Sequence, residues 1–394
     1  MALIMYPIDD SISIDQLVHD PYPIYRRLRA EAPVVAVPAV GRILITKAAD
    51  TQAIKMNPEL FSSDDPNTPM ERAFGAKTLM RRDGEDHMRL RKAMMPSMSP
   101  GQVKRVWTDQ IEQIASEYID RLPRGEVFDF FTEFAGPYSA RCVAVVLGLP
   151  SASDQDIQRW SQILIDGAGN FGGIPELFEN TDKANKEMDV CIAQSIKAKE
   201  GHFEFSALGV QTSVTEPIEY EHIISNIKIA IGGGINEPRD SITTVLYGLL
   251  TNPEQRDAVV ENPALFAQAF EEAVRWVAPI QVSSRRVTSD TQIRGFDIAE
   301  GKVVMTIQAS ANHDEDVYED GHKYNIFREN KRHQAFGNGP HFCMGTHLSR
   351  RMIADIALPM LFDRYPNMEL LEPSEVKWRG FGFRGPINLP IILK

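Results

Sequence analysis

Apolar residues recur at helical spacing through most of the chain, which predicts a mainly α fold class. The predicted helices cover 21–32, 84–95, 102–121, 154–166, 178–199, 219–251 and 263–277. Pro150, Pro217 and Pro253 separate several of these segments, as expected of residues that interrupt helices.

Strand-like segments form a minor β part. The stretch 34–46 predicts two short strands around a turn, 281–308 predicts more strands, and 368–393 predicts a hairpin. The irregular stretch 312–336 is longer than most compact domains allow, which favours a functional loop. Because no repeat or low-complexity linker divides the chain, we expect a single domain over 1–394.

Composition narrows the class of protein. The 394 residues are 43% hydrophobic and 24% charged, enough to bury a large core. The net charge of -12 has the wrong sign for coating nucleic acid or anionic lipid. Neither a signal peptide nor a membrane span is visible, and three cysteines are too few for a disulfide framework. We therefore expect a soluble cytoplasmic protein without nucleic-acid or membrane partners.

One cysteine lies in an unusual loop. The run FGNGPHFCMG, from Phe336 to Gly345, precedes a helical pattern and places Cys343 near a helix N terminus. Unpaired amides and the helix dipole there should lower the pKa of the thiol. The glycines would let the backbone approach a flat macrocycle closely. For the thiol alone, a buried cysteine in an ordinary turn is the alternative.

The whole run Phe-Gly-x-Gly-x-His-x-Cys-x-Gly closely resembles the cysteine-ligand loop of the cytochrome P450 family. The resemblance implies the cytochrome P450 fold and haem b, with Cys343 as the proximal ligand of the iron. It also implies that Phe336 packs under the sulfur, that Gly337 belongs to the haem loop, and that His341 lies near a haem propionate. The activity implied is a haem-thiolate monooxygenase that inserts one atom of O2 into a small organic substrate.

A carboxylate and two arginines match a second feature of that family. Glu272 and Arg275 lie three residues apart on one helical face, and Arg328 ends the segment YNIFR. Their order is similar to the family's Glu-Arg-Arg triad, which implies a structural brace for the cysteine loop. A solvated ion pair is the alternative for Glu272 and Arg275 taken alone.

Buried haem propionates need cations or hydrogen-bond donors. His87 and Arg91 lie one helical turn apart and resemble the His-x-x-x-Arg of the family. Arg285 occupies the position of a propionate-binding arginine, so that with His341 these residues would form an anion clamp. For each residue singly, a solvated surface cation is the alternative.

Three glycines and a proline interrupt the long apolar helix. Since Pro238 cannot donate to the Gly234 carbonyl, we expect a kink there. Gly234 to Pro238 align with the dioxygen pocket of the family, where Glu237 supplies the acid but Pro238 replaces the usual threonine. Our hypothesis is that Glu237 and water deliver protons, with the Gly234 carbonyl orienting that water. The alternative is a kink for packing, with Glu237 exposed.

The Glu-Pro pair also resembles bacterial aromatic O-demethylases of the same family. Phe74 and Phe383 match positions where phenylalanines hold a small aromatic ring. Family position further suggests the pocket residues Met80, Phe171, Ile231, Ile235 and Val282, for which core packing is the alternative. The resemblance therefore implies a small apolar or aromatic substrate and either hydroxylation or oxidative O-dealkylation.

No flavin or nicotinamide fingerprint is visible, so the electrons must come from a separate ferredoxin or a flavoprotein/iron-sulfur reductase. A basic face for such a partner would consist of Arg89, Lys92, Arg332, His347, Arg350 and Arg351. Scattered solvated charge is the alternative to such a face.

Three other functions stay open at this point. The missing hydroxyl at Pro238 allows a peroxide-driven peroxygenase, and the loop alone allows a haem-thiolate sensor without turnover. A zinc site of Cys343, His341 and His347 lacks the paired ligand spacing of structural zinc motifs.

Overall fold

The computed structural model describes residues 5–329 and 331–394. Helices predominate within them, and the strands form small sheets. The predicted fold class, mainly α with a minor β part, is confirmed.

The helices follow one another with short connections. The N-terminal helices are α1 Ile14–His19, α2 Tyr22–Glu31, α3 Ala48–Met56 and α4 Pro69–Phe74. The central helices are α5 Gly84–Met94, α6 Pro100–Gln102, α7 Thr108–Asp120, α8 Gly136–Leu147, α9 Asp154–Ala168, α10 Pro175–Ala198, α11 Ala207–Thr212, α12 Tyr220–Gly234 and α13 Asn236–Leu250. The C-terminal helices are α14 Pro253–Glu261, α15 Phe266–Trp276, α16 Gln308–Ala311, α17 Thr346–Arg350 and α18 Leu358–Arg364. Wider π-helical turns at Val103–Trp107, Phe131–Ala135 and Arg351–Ala357 adjoin α7, α8 and α18.

Five strands form the main sheet, in the order β1-β2-β8-β5-β3. Its strands are β1 Val34–Val37, β2 Arg42–Ile45, β3 Phe61–Ser62, β5 Val282–Val287 and β8 Val303–Ile307. The β2–β8 pair is parallel and the other pairs are antiparallel, with Arg285 opposite Val304. The smaller sheets contain β4 Val127–Asp129, β6 Thr291–Ile293, β7 Phe296–Ile298, β9 Glu369–Leu370, β10 Trp378–Arg379, β11 Gly385–Pro386 and β12 Pro390–Ile392.

A large apolar core joins most of the helices. Its fully buried rings include Trp107, Phe134, Tyr138 and Phe270. Smaller clusters cover the two faces of the main sheet. This core fixes α12, α13 and α15 relative to one another, and these helices carry much of the candidate site.

The sequence pattern missed the longer helices α3, α8 and α14 and the short helices α1, α4, α11 and α16. Almost every residue of α8 is buried, so its sequence has no polar face to reveal a helical period. The predicted hairpin at 368–393 is partly correct, because β10 pairs with β11. Strand β12 also pairs antiparallel with β9, within the same segment, but its other neighbour is β4, which lies outside it.

In the described part of the chain, no helix combines the length and apolar character needed to cross a membrane.

Candidate active site

A cavity of about 310 Å³ lies between the α12–α13 junction and the loop before α17. Its wall is largely apolar, but Cys343 faces it from the loop and Glu237 from α13. A larger cleft, of about 710 Å³, beside Trp276 and Lys331 has no cysteine among its described lining residues. A thiol and a buried acid on one apolar cavity identify the first as the candidate active site.

The loop from Phe336 to Cys343 is compact and closely packed. The Cys343 amide donates a 2.9 Å hydrogen bond to the Phe336 carbonyl. Gly337 and Gly339 have φ values of 75° and 67°, which favour glycine. A Cβ on Gly339 would also clash with the carbonyl oxygen of Lys55, so α3 packs directly against this loop.

The Cys343 side chain is accessible because it faces the open cavity, although the surrounding protein still desolvates its sulfur. Burial raises the pKa of its thiol above the ordinary value, although the Gly345 amide and the Thr346 hydroxyl oppose this shift. The predicted lowering of the pKa is therefore wrong for the protein atoms alone. The reason is that desolvation outweighs the dipole of the short helix α17.

Phe336 lines the cavity and packs between two other side chains. Its ring centroid lies 6.2 Å from that of Phe270. The guanidinium carbon of Arg350 lies 5.1 Å from the Phe336 ring, and Glu271 holds Arg350 at 2.5 Å. These contacts fix the start of the cysteine loop against α15 and α17.

Glu272, Arg275 and Arg328 form one buried hydrogen-bonded group. Arg275 makes two 2.7 Å bonds to Glu272, and Arg328 adds a third at 3.3 Å. Arg275 also donates to the carbonyls of Asn312 and Gly321. The group therefore ties α15 to the irregular segment before the cysteine loop.

Two histidines stack beside the loop. The ring centroids of His87 and His341 are 4.1 Å apart, and His341 Nε2 lies 3.1 Å from Asp83 Oδ1. His87 Nε2 and His341 Nδ1 are buried without a hydrogen-bond partner. Burial, with the charges of His341 and Arg91, lowers the pKa of His87 to about 4. The stack thus presents polar nitrogens that the protein leaves unsatisfied.

Arg91 and Arg285 also line the cavity. Arg91 donates to the Phe342 carbonyl at 2.5 Å, and Arg285 donates to the Ser284 carbonyl at 2.8 Å. Burial, followed by the charge of Arg81, lowers the pKa of Arg285 to about 10. Neither Arg91 nor Arg285 forms an ion pair within residues 5–329 and 331–394, so both retain donors for an anion.

Two buried cations that the sequence motifs do not contain, Lys55 and Arg81, line the same cavity. The Lys55 Nζ and the Arg81 Nε are buried without a hydrogen-bond partner. Although α3 was not predicted, its buried positions Ala48, Thr51 and Lys55 follow the i, i+3, i+7 spacing of one helical face. That spacing was the sequence feature that could have identified Lys55.

The long helix is broken, not merely bent. α12 ends at Gly234, α13 begins at Asn236, and Ile235 lies between them. Pro238 has no N–H to offer the Gly234 carbonyl, which gives the physical reason for a break here. The predicted kink and the observed break therefore share one cause.

Glu237 is a buried acid on the cavity wall. Neither of its carboxylate oxygens has a hydrogen-bond partner. Burial raises its pKa to about 8; Asp240 adds to the shift and Arg239 opposes it. The side chain is therefore protonated at neutral pH and does not occupy the exposed position considered as the alternative.

Aromatic rings form the wall beyond Glu237. The predicted pocket residues that face the cavity are Phe74, Met80, Phe171, Val282 and Phe383. Phe74 packs tightly on α12, because a Cβ on Gly232 would lie 2.7 Å from its ζ carbon. A small residue at 232 therefore determines where the Phe74 ring lies.

Ile231 and Ile235 do not line the cavity, which corrects their predicted place in the pocket. Both are fully buried in the apolar core. The cavity instead contacts Ala230, Gly233 and Glu237, which are three and four residues apart on one helical face. The two isoleucines are adjacent in sequence to this face and point away from it.

Several of the cations predicted for a basic face are paired. Arg89 bonds Glu219 at 3.1 Å, and Arg351 bonds Asp355 at 3.2 Å. Their charge is therefore largely offset on the protein surface. The described residues also contain no group of three or more His, Cys, Asp or Glu side chains placed to hold a metal ion, as a zinc site would require.

Comparison with known proteins identifies the family. The family model Cytochrome P450 matches residues 181–366. A cytochrome P450 of Bacillus subtilis (strain 168) is 30% identical over 321 residues, covering 80% of this chain and 77% of that protein. Linalool 8-monooxygenase of Pseudomonas putida is 26% identical over 392 residues, covering 95% of both chains.

A solved structure extends this likeness to the fold. The versatile cytochrome P450 enzyme CYP109B1 from Bacillus subtilis superimposes with a TM-score of 0.84 and 27% identity, over 95% of this chain and 100% of that chain. Fold and sequence together define a haem-thiolate monooxygenase, an oxidoreductase that uses O2 and electrons from redox partners. The chain belongs to the cytochrome P450 family.

The cavity residues fit a haem. Cys343 offers a thiol ligand, and a Cβ on Gly345 would come within 3.8 Å of its sulfur, so glycine leaves room beside the ligand. Lys55, whose Nζ has no hydrogen-bond partner, and Arg285, which forms no ion pair within the described residues, match the chemistry of propionate carboxylates. A haem propionate would therefore be a suitable acceptor for the hydrogen bonds that the Lys55 Nζ does not form within the protein.

Proposed function

We propose that this cytochrome P450 oxygenates a small aromatic substrate, by hydroxylation or oxidative O-dealkylation, with haem b held through Cys343. The observation that carries the proposal is one cavity faced by Cys343, by the buried acid Glu237 and, beyond Glu237, by the rings of Phe74, Phe171 and Phe383. In this proposal His87, Arg91, Arg285 and His341 surround the propionates. Phe336 and Gly337 shape the loop beneath the sulfur.

When bound, a haem with a thiolate ligand supplies the electron density that favours O–O cleavage. Glu237 then acts as a proton donor to the cavity, because its carboxyl is protonated at neutral pH and forms no competing hydrogen bond. The Gly234 carbonyl, which lacks a donor from Pro238, accepts a hydrogen bond from the water that carries the proton. Pro238 itself contributes no hydroxyl.

The aromatic wall supports the choice of substrate class. Phe74, Phe171 and Phe383 approach the cavity from three different segments of the chain. Rings in such an arrangement hold a planar aromatic molecule by offset or edge-to-face packing. Met80 and Val282 complete an apolar surface that discriminates against strongly polar substrates.

The electron donor in this proposal is a separate ferredoxin or flavoprotein/iron-sulfur reductase. Lys92, Arg332 and His347 are exposed and form no ion pair within the described residues, so they are the cations that remain for an acidic partner. We also propose that 1–394 forms a single domain that acts in the cytoplasm. A core that extends from Ala73 to Leu393 supports the single domain.

A reduced carbon monoxide difference spectrum tests the haem assignment. We expect the thiolate-type band in the wild-type protein and in Cys142→Ser, and its loss in Cys343→Ala. Cys142 is a matched control because it is fully buried outside the cavity. A band that survives Cys343→Ala would contradict the assignment.

Substrate class is tested by spin-state titration with methoxybenzoates, methoxyphenols, terpenes and fatty acids. We expect the aromatic compounds to give the tightest binding and a matching oxygenated product with reductant and O2. Failure of every aromatic compound would refute the substrate class. Equal turnover with peroxide alone would favour the peroxygenase.

A further inference from the structure

Among the described residues that line the cavity there is one lysine, Lys55, and its side chain is buried. It lies in the last turn of α3, is 3% exposed, and its Nζ has no hydrogen-bond partner. Its backbone carbonyl touches Gly339 in the cysteine loop. Lys55 therefore joins a helix near the N terminus to the loop that carries Cys343.

The charges around Lys55 disfavour an ammonium ion. The charged group that acts on it from a neighbouring element is Arg285 on β5, which is also a cation. Burial, and then the charge of Arg285, lower the pKa of Lys55 well below its usual value. Within residues 5–329 and 331–394 neither side chain forms an ion pair with a carboxylate, so the protein supplies no counter-charge for a protonated Lys55 beside Arg285.

The Asp83 carboxylate does not supply the missing counter-charge. Asp83 influences Arg285, but its oxygens already accept hydrogen bonds from His341, Ser62 and Ser63. The cavity side of this cluster therefore needs an acceptor that does not belong to the protein.

We propose that Lys55 donates a hydrogen bond to a haem propionate and, together with Arg285, neutralises the two propionate charges. The proposal rests on the haem site proposed at Cys343. Lys55 and Arg285 line the same cavity as Arg81 and Arg91, and a propionate there would give each of the two buried groups a partner of opposite charge. Lys55 acts as a positioning residue for the cofactor, remote from the oxygenated substrate.

Haem retention by the holoenzyme tests the proposal directly. We expect Lys55→Met to transfer ferric haem to apomyoglobin about tenfold faster than the wild type, the effect of one lost charge-assisted hydrogen bond. The midpoint potential of the iron should also fall, because removing a nearby cation stabilises the more positive ferric state. Lys55→Arg, which retains the charge, should restore both values toward those of the wild type.

Lys228→Met provides a matched control. Lys228 is also buried, at 6% exposure, but it pairs with Asp189 at 2.6 Å and does not line the cavity. Its loss should destabilise the fold and leave haem transfer and potential unchanged.

The outcomes separate this proposal from the haem assignment. If Lys55→Met shows a normal thiolate spectrum with unchanged haem transfer and potential, Lys55 only fills space and the proposal is wrong. If the wild type lacks the thiolate spectrum, the assignment of Cys343 fails first. An equal change in Lys55→Met and Lys228→Met would also overturn the proposal, because it would reflect general destabilisation.

Discussion

At the scale of single residues, Glu237 shows how burial prepares an acid for proton transfer. Burial of the carboxyl group raises its pKa from 4.5 to about 8. The folded state therefore binds this proton more tightly than the unfolded state does. Its contribution to stability is present near pH 4.5 and is lost as the pH rises to about 8.

The same shift predicts the pH dependence of turnover. If Glu237 is the proton donor, the fraction of reductant converted to product should fall as the pH rises through about 8. Glu237→Gln should lower this fraction about tenfold or more, release more peroxide and lose the pH dependence. Asp240→Asn, on the same helix but outside the cavity wall, removes a charge that raises the pKa of Glu237, so it should keep full coupling at low pH and shift its fall to lower pH. Unchanged coupling in Glu237→Gln would rule out its role.

The absence of a side chain at Gly232 leaves space for the Phe74 ring. Gly232→Ala would place a methyl group against the Phe74 ring and push that ring toward the cavity. We expect binding of aromatic ligands to weaken about tenfold, the effect of roughly 1.4 kcal/mol. Spin-state titration measures this change. Gly101→Ala, at a helix start with open surroundings, should bind like the wild type.

A sequence motif predicts the position of a residue where the motif contains that residue, and Phe336 and Gly337 line the same cavity as Cys343. Gly337 and Phe336 could be placed because Cys343 defines the loop. Lys55 could not, because the pattern did not reveal α3 and the motif does not contain a lysine. A buried cation without a partner becomes visible only when the surrounding segments are assembled.

At the scale of elements, the α12–α13 junction determines which side chains reach the cavity. The apolar pattern predicted a continuous helix over 219–251, since Ile227, Ile231 and Ile235 keep the helical period across the break. Periodicity alone does not say which face meets a cavity and which meets the core. For this reason Ile231 and Ile235 were assigned to the wrong surface.

The junction predicts the outcome of a paired substitution. Pro238→Thr restores a backbone N–H for the Gly234 carbonyl and adds a hydroxyl beside Glu237. In a Glu237→Gln background this hydroxyl should recover part of the lost coupling, measured as product formed per reductant consumed. Pro238→Val restores the N–H without the hydroxyl and should recover none. Equal recovery by both variants would assign the effect to helix geometry.

At the scale of the whole molecule, distant segments converge on the cysteine loop. Glu272 and Arg275 on α15 hold Arg328 and three carbonyls of the irregular segment. The order of these residues could be predicted from sequence by family resemblance. The carbonyl contacts could not, because they depend on the path of a segment without regular structure.

This brace predicts a large loss of stability. Glu272→Gln breaks a buried ion pair and should lower the free energy of unfolding by about 3 kcal/mol. Glu271→Gln is the matched control, because the adjacent pair with Arg350 is partly exposed and should cost about 1 kcal/mol or less. Thermal or denaturant unfolding measures both. Equal losses would show that Glu272 has no special bracing role.

The contact of α3 with the cysteine loop also has a consequence for the order of assembly. The Thr51 hydroxyl bonds Gln334, 283 positions later in the chain. Such a distant closure is slow to form, and the loop cannot pack on α3 until the ribosome has made almost the entire polypeptide. The cofactor site should therefore be among the last parts of a newly synthesised molecule to become complete.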